Sequence, residues 1–256
     1  MKKYILCFAL IFALIVSGCS QNNRTASSKS PEDDTKITAD SSSGQLTEDE
    51  SVTAVKKDIE SDEANSDNYE SDFTYSIDGN SCMILGYTGK SDEVRIPAKI
   101  KGKPVTSIFA GTFQKNNTIK KVIIPDNVTM INAHSFYGCA ALESVEIPDS
   151  VTYIGDFAFA FCTSLSSVTI PGSVKSIENS AFFKCTGLTS VTLGEGVGYI
   201  DLHAFRGCTG LTDLSIPDSL EIIEDHAFAN CNLSDDETIE KIKTINPKAL
   251  ERYIFD

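Results

Sequence analysis

A block of apolar residues returns every 23 positions through the middle of this 256-residue chain, and few folds accommodate such a repeat. Its clearest copy is Leu165 to Cys185, LSSVTIPGSVKSIENSAFFKC. Shifting Val168-Thr169-Ile170-Pro171 by 23 gives Val145-Glu146-Ile147-Pro148 and Val122-Ile123-Ile124-Pro125 on one side. On the other side it gives Val191-Thr192-Leu193-Gly194 and Leu214-Ser215-Ile216-Pro217. A degenerate copy opens at Val94-Arg95-Ile96-Pro97 and runs 28 residues, because the segment around Lys101-Gly102-Lys103-Pro104 adds five. A fixed period of this length implies a solenoid of stacked coils, each burying its apolar side only against its neighbours.

Within one coil the apolar positions are Leu165, Val168, Ile170, Val174, Ile177, Ala181, Phe182 and Cys185. Val168 and Ile170 alternate with Ser167 and Thr169, the period of a strand with one buried side. Pro171 and Gly172 turn the chain, and Val174 to Ile177 is a second short extended piece. Burying these side chains yields about 1.5–3 kcal/mol each, against about 1–2 kcal/mol per residue of backbone entropy. A lone coil cannot hold itself, so stacking is required.

The spacing Leu165-x-x-Val168-x-Ile170, repeated at Leu142, Leu188 and Leu211, resembles the leucine-rich repeat pattern. With its Ile-Pro and Ala-Phe-x-x-Cys elements, the chain resembles the BspA-like leucine-rich repeat proteins of bacterial surfaces over roughly residues 73 to 231. The Asn that usually ends the strand motif occurs only as Asn127, with Ser150, Ser173, Gly196 and Ser219 in the equivalent slots, so no asparagine ladder is expected. The fold expected is mainly β: a leucine-rich repeat solenoid of 23-residue coils over residues 94–233, with an N-terminal hairpin cap over 73–93 and a short C-terminal helix cap over 234–256. The resemblance implies a surface binding or adhesion scaffold and no catalytic residue.

Residues 1–19 begin with Lys2 and Lys3, continue as an apolar run from Ile5 to Val16, and end Val16-Ser17-Gly18-Cys19. The run is too short to span a membrane. Small residues before a cysteine resemble a bacterial lipobox, which implies cleavage before Cys19, acylation there and a cell-surface location on the outer side of the membrane. The alternative is an ordinary secretory signal cleaved elsewhere. Residues 20–72 hold 14 acidic against 5 basic residues, a net of −9, with Tyr69 the sole aromatic. Such a segment is expected to be a disordered tether.

Phe73-x-Tyr75-x-Ile77 followed by Asp78-Gly79 and Cys82 to Tyr87 predicts a hairpin turning at Asp78-Gly79. Between Lys90 and Lys121, eight basic residues face two acidic ones in a chain of net charge −14. That region is either a solvated cap edge or a surface for anionic envelope polymer. Nucleic acid is not expected as a partner of so acidic a chain. At the other end, Ser234-x-x-Glu237 predicts a helix through about Lys243, with Ile239 and Ile242 inward and Pro247 ending it.

Five cysteines, Cys139, Cys162, Cys185, Cys208 and Cys231, form a column at intervals of 23. Coil spacing does not forbid a disulfide between neighbours, but the apolar Ala-Phe-x-x-Cys context reads as buried free thiols. His134, His203 and His226 share one repeat slot, which explains their alignment without a metal. No phosphate loop or nucleophile elbow occurs, so neither an enzyme nor a cofactor is expected.

The outward strand positions read Glu143, Ser144 and Glu146, then Ser166, Ser167 and Thr169, then Thr189, Ser190 and Thr192, then Thr212, Asp213 and Ser215. Stacked, they make a face of small hydroxyls with little side-chain entropy to lose on binding. Glu143, Glu146, Ser166, Ser167, Thr169, Thr189, Ser190, Thr192, Thr212, Asp213 and Ser215 are the expected ligand face of a monomer that binds an extracellular protein. The plain alternative is that Ser and Thr simply suit an exposed strand. A rival reading is a glycan-binding module that uses Tyr137, Phe161 and Phe183 near the loop before Cys; another is a structural spacer.

Overall fold

The computed structural model describes residues 70–251. Residues 1–69, with Cys19 and nearly all of the tether, and residues 252–256 lie outside the described part. Glu70–Asp72, assigned to the tether by composition, instead form a 3-10 turn that opens the cap. There Thr88 N–H donates to the Asp72 carbonyl at 2.8 Å.

The cap is the hairpin of β1 (Phe73–Asp78) and β2 (Ser81–Tyr87). Asp78 pairs with Ser81, so the turn is Gly79-Asn80, one residue later than expected. Gly79, at φ 56°, takes the left-handed conformation that the first turn position requires, while Asp78 stays in the ladder. The coils follow with β3 (Glu93–Arg95), β4 (Lys99–Ile100), β5 (Lys103–Ile108), β6 (Lys121–Ile123), β7 (Met130–Ile131), β8 (Ser144–Glu146) and β9 (Tyr153–Ile154). Next come β10 (Ser167–Ile170), β11 (Ser176–Ile177), β12 (Ser190–Leu193), β13 (Tyr199–Ile200), β14 (Asp213–Ser215) and β15 (Ile222–Ile223), then the helix α1 (Asp236–Ile245).

Each full coil has three sides. The first strand wall is the parallel runs β3-β6-β8 and β10-β12-β14, and the second is β5-β7-β9 and β11-β13-β15. Partners sit one repeat apart, as in Ser167↔Ser190 and Ser190↔Asp213. The departure Val94↔Val122 reflects the longer first coil, whose extra residues make the β4–β5 hairpin with Lys101 (φ 50°) and Gly102 (φ 74°) at its turn.

The third side is a wound turn segment whose N–H groups point alternately between coils and within one. His134, Phe136 and Gly138 donate to the carbonyls of Asp156, Ala158 and Ala160 in the next coil. Ser135, Tyr137 and Cys139 donate three residues back, to Asn132, His134 and Phe136. Two left-handed residues per coil make this alternation. One slot holds Gly111, His134, Phe157, Ser180, His203 and His226, and the other holds Lys115, Gly138, Phe161, Lys184, Gly207 and Asn230. The shared slot of the three histidines is thereby explained, since His is among the residues enriched at positive φ.

Inside, Phe113, Phe136, Phe159, Phe182, Phe205 and Phe228 form one column, with successive centroids 4.9–5.3 Å apart and rings within 5° of parallel. Tyr87 joins it to the cap, 5.6 Å from Phe113. In the slots where an asparagine ladder is missing, Ser150, Ser173 and Ser219 donate to the carbonyls of Val128, Val151 and Val197 at 2.6–2.9 Å. A serine ladder does that work instead.

The helix begins one residue later than the Ser234 box predicts. Asp235 is its N-cap, accepting from Thr238 N–H at 2.7 Å, while Ser234 donates to the Thr212 carbonyl. It runs two residues past Lys243, burying Ile242 and half-burying Ile239. Thr238 and Lys241 bond the Leu214 and Ile216 carbonyls, covering the edge of β14. A 3-10 turn, Pro247–Leu250, closes the turn side by accepting from His226 and Phe228 N–H at Lys248 and Ala249.

Candidate ligand-binding walls

On the first strand wall the alternation of Val168 and Ile170 inward places Ser167 and Thr169 outward, in register with Ser190 and Thr192 and then Asp213 and Ser215. All eleven expected ligand-face residues lie on this wall, exposed except for half-buried Ser190. They divide into those bonded within the stack and those left to solvent. Ser166, Thr189 and Thr212 each donate to a backbone carbonyl of the preceding coil, at Glu143, Ser166 and Thr189, so these hydroxyls serve the stack. Ser190 donates to Asp213 at 3.0 Å, and Glu146 pairs with Lys121 at 3.0 Å. Among the described residues, the hydroxyls of Ser167, Thr169, Thr192 and Ser215 have no protein partner and face solvent.

The second strand wall holds residues that the sequence reading passed over. Met130, Tyr153 and Ile222 are exposed large side chains in one column, which Ser176 and Tyr199 complete. The Tyr199 hydroxyl donates to Glu224 at 3.1 Å and reaches Asp201 at 3.3 Å. Burial and those carboxylates push its pKa up to about 12. The signal was available: each of these residues directly precedes the inward Ile of its coil.

On the turn wall the structure gathers Tyr137, Phe161 and Phe183 into a row, with centroids 5.3 and 5.4 Å apart at edge-to-face angles. Phe157 stacks on His134 at 5.2 Å. Phe157 and Phe161 both sit at positive φ, 54° and 62°, an arrangement costing a bulky residue on the order of 1–2 kcal/mol. Lys184 lies over Phe161 and Phe183, and Arg206 over Phe183.

The six cysteines of the described part are free thiols. Those of the column donate to the carbonyl of the Phe one coil back, as Cys162 does to Phe136 and Cys185 to Phe159. Burial pushes Cys139 up to about 12 and raises Cys162 and Cys208 well above the ordinary thiol value. For Cys231 the hydrogen bond with Cys208 and burial act in the same direction. His203 stacks on His226 at 6.0 Å, and burial, aided by Arg206 and His226, holds its pKa below the ordinary imidazole value. Among the described residues no three His, Cys, Asp or Glu side chains converge as metal ligands.

Half of the basic stretch near the cap is matched by carboxylates. Arg95 pairs with Glu93, Lys101 with Glu70, Lys120 with Asp92 and Lys121 with Glu146, at 2.7–3.3 Å. Among the described residues Lys90, Lys99, Lys103 and Lys115 pair with no carboxylate, so the stretch keeps a net positive charge.

Short parallel strands on two sides, a wound turn on the third and a capped stack define a leucine-rich repeat solenoid. The chain belongs to the BspA-type leucine-rich repeat family, whose model matches six copies over residues 106–234. It is similar to a solved leucine-rich repeat protein of T. pallidum at 26% identity, covering 71% of this chain and 96% of that one with a TM-score of 0.58. A leucine-rich cell surface protein of Faecalibacterium prausnitzii is 30% identical over 65% of this chain, with a TM-score of 0.50. A third, from Eubacterium ventriosum, is 23% identical with a TM-score of 0.53 and supports the fold alone. The chain spans about half the length of those last two, 53% and 47%. No curated protein matches the chain.

Proposed function

We propose that this protein is a lipid-anchored, cell-surface scaffold without catalytic activity, which holds an extracellular protein on its first strand wall. The observation carrying this reading is the set of solvent-facing hydroxyls of Ser167, Thr169, Thr192 and Ser215, aligned by the strand register and free of protein partners. Rigid, short donors and acceptors lose little entropy on binding and accept a flat partner. The similar Faecalibacterium prausnitzii protein is a leucine-rich cell surface protein, which supports this location. Anchoring rests on Cys19 and its lipobox-like context.

Two experiments test this. Cys19→Ser should release the protein from membranes or leave an unprocessed precursor; unchanged detergent partitioning would defeat the anchor. For binding, the full chain is screened against immobilised extracellular matrix proteins and glycans. Changing Ser167, Thr169, Thr192 and Ser215 together to Lys should abolish capture of a protein partner while circular dichroism stays unchanged. Full capture by the folded variant removes the strand wall as the site.

A further inference from the structure

An open groove of about 590 Å³ runs along the turn side over the last three coils. Lys184 and Thr186 line it from one coil, Gly207 and Thr209 from the next, and Asn230 and Asn232 from the last. Gly207 opens it. In the slot shared by Lys184, Gly207 and Asn230, the middle coil has no side chain, and the backbone there is left-handed at φ 78°. The Lys184 stem already lies across the floor, since a Cβ on Gly207 would come within 3.0 Å of its Cγ.

The cations beside the groove lie over aromatic rings. Lys184 Nζ lies 5.8 Å from the Phe161 centroid and 5.4 Å from that of Phe183, and the Arg206 guanidinium lies 5.9 Å from Phe183. Aromatic faces position a cation without cancelling its charge. Among the described residues Lys184 pairs with no carboxylate. The remaining lining offers hydroxyls and amides. Asn232 spends its amide N–H on the Thr209 carbonyl at 2.6 Å, leaving its oxygen to accept.

We propose that this groove binds an acidic polysaccharide. Its carboxylate or sulfate groups meet Lys184, and its ring hydroxyls meet Thr186, Thr209, Asn230 and Asn232. A repeating, polyhydroxylated chain fits a wall whose polar groups repeat once per coil. None of the six lining residues is a large aliphatic or aromatic one of the kind that anchors a protein hot spot. An acidic ligand is favoured because Lys184 presents a positive charge with no carboxylate beside it among the described residues, in a chain of net charge −14.

The test measures binding of the full-length chain to heparin and polygalacturonate, with neutral dextran and polyglutamate as comparisons. Binding to at least one acidic polysaccharide is expected, weakening as salt rises and exceeding binding to both comparisons. Lys184→Ala should lower that affinity about tenfold, the scale of a lost charge contact. Phe183→Leu should lower it less, by loosening the seat of Lys184, and Lys103→Ala in the cap should leave it unchanged. The four-lysine strand-wall variant should also retain it, so failure here and failure of the protein-binding reading are separate results. Absence of binding to both acidic polysaccharides, equal binding of dextran or polyglutamate, or full affinity in Lys184→Ala overturns the proposal.

Discussion

On the first strand wall, Ser167, Ser190 and Asp213 stand one above another; on the turn wall, the corresponding column is Tyr137, Ala160, Phe183 and Arg206. Both walls are tied coil to coil by backbone hydrogen bonds, and both rest on the same core. They differ in how the backbone aims its N–H groups. A strand does so in ordinary extended conformation, which admits any residue outward and favours Thr. The turn wall needs two left-handed residues per coil, so Gly and His recur there while Phe157 and Phe161 are held at a conformational cost. The regular wall is chemically uniform, and the strained wall carries the individual chemistry.

The core beneath both walls should show the largest effect. Phe182→Ala removes the middle of the ring column, where neighbours lie at 5.2 and 5.3 Å, and should cost about 3–5 kcal/mol in denaturant unfolding. A loss below about 1 kcal/mol would mean that the coils do not depend on the column.

Alkaline pH probes the thiols of the turn wall. A thiol whose folded pKa is raised keeps its full contribution below the unfolded value and loses it as pH climbs toward the folded one. For Cys139 that window runs from about 9 to about 12, at about 1.4 kcal/mol per pH unit. Cys162, Cys208 and Cys231 shift in the same direction. Stability measured at pH 10.5 should therefore fall below that at pH 8, and serine in place of the column cysteines should flatten the slope. In the native state below that window, thiol alkylation should be slow at the column and complete after unfolding.

Two glycines compare the walls directly. Gly138→Ala, at φ 71° on the turn wall, should cost about 1–2 kcal/mol. Gly198→Ala, beside β13, brings a Cβ no closer than 3.5 Å to Ser219 O and should be neutral or stabilising by up to about 1 kcal/mol. Equal effects on melting temperature would deny the turn wall its special backbone. The smallest change is expected on the strand wall, where lysine at Ser167, Thr169, Thr192 or Ser215 should each shift stability by within about 0.5 kcal/mol.

Much of the fold was legible because one coil must bury what the next coil presents, and the period exposes that directly. The two-residue alternation placed Ser167 and Thr169 outward, and the apolar context marked the cysteine column as thiols. Boundaries moved by one residue where competing caps were adjacent: Asp235 outcompeted Ser234, and Gly79 moved the hairpin turn past Asp78. Of the candidate ligand face, Ser166, Thr189 and Thr212 proved to be ties between coils, because a hydroxyl beside the preceding coil's carbonyl bonds it in preference to water.

By itself the sequence determined the solenoid, the coil length, the inward set and the family, since period and burial are properties of residue order. Only the tertiary structure decided that Met130, Tyr153 and Ile222 share an exposed column, that Tyr137, Phe161 and Phe183 meet, and that Gly207 opens a groove beside Lys184. Those relations depend on left-handed backbone at alternating turn positions and on side chains from different coils. Neither can be read from one coil alone, because each arises where two coils touch.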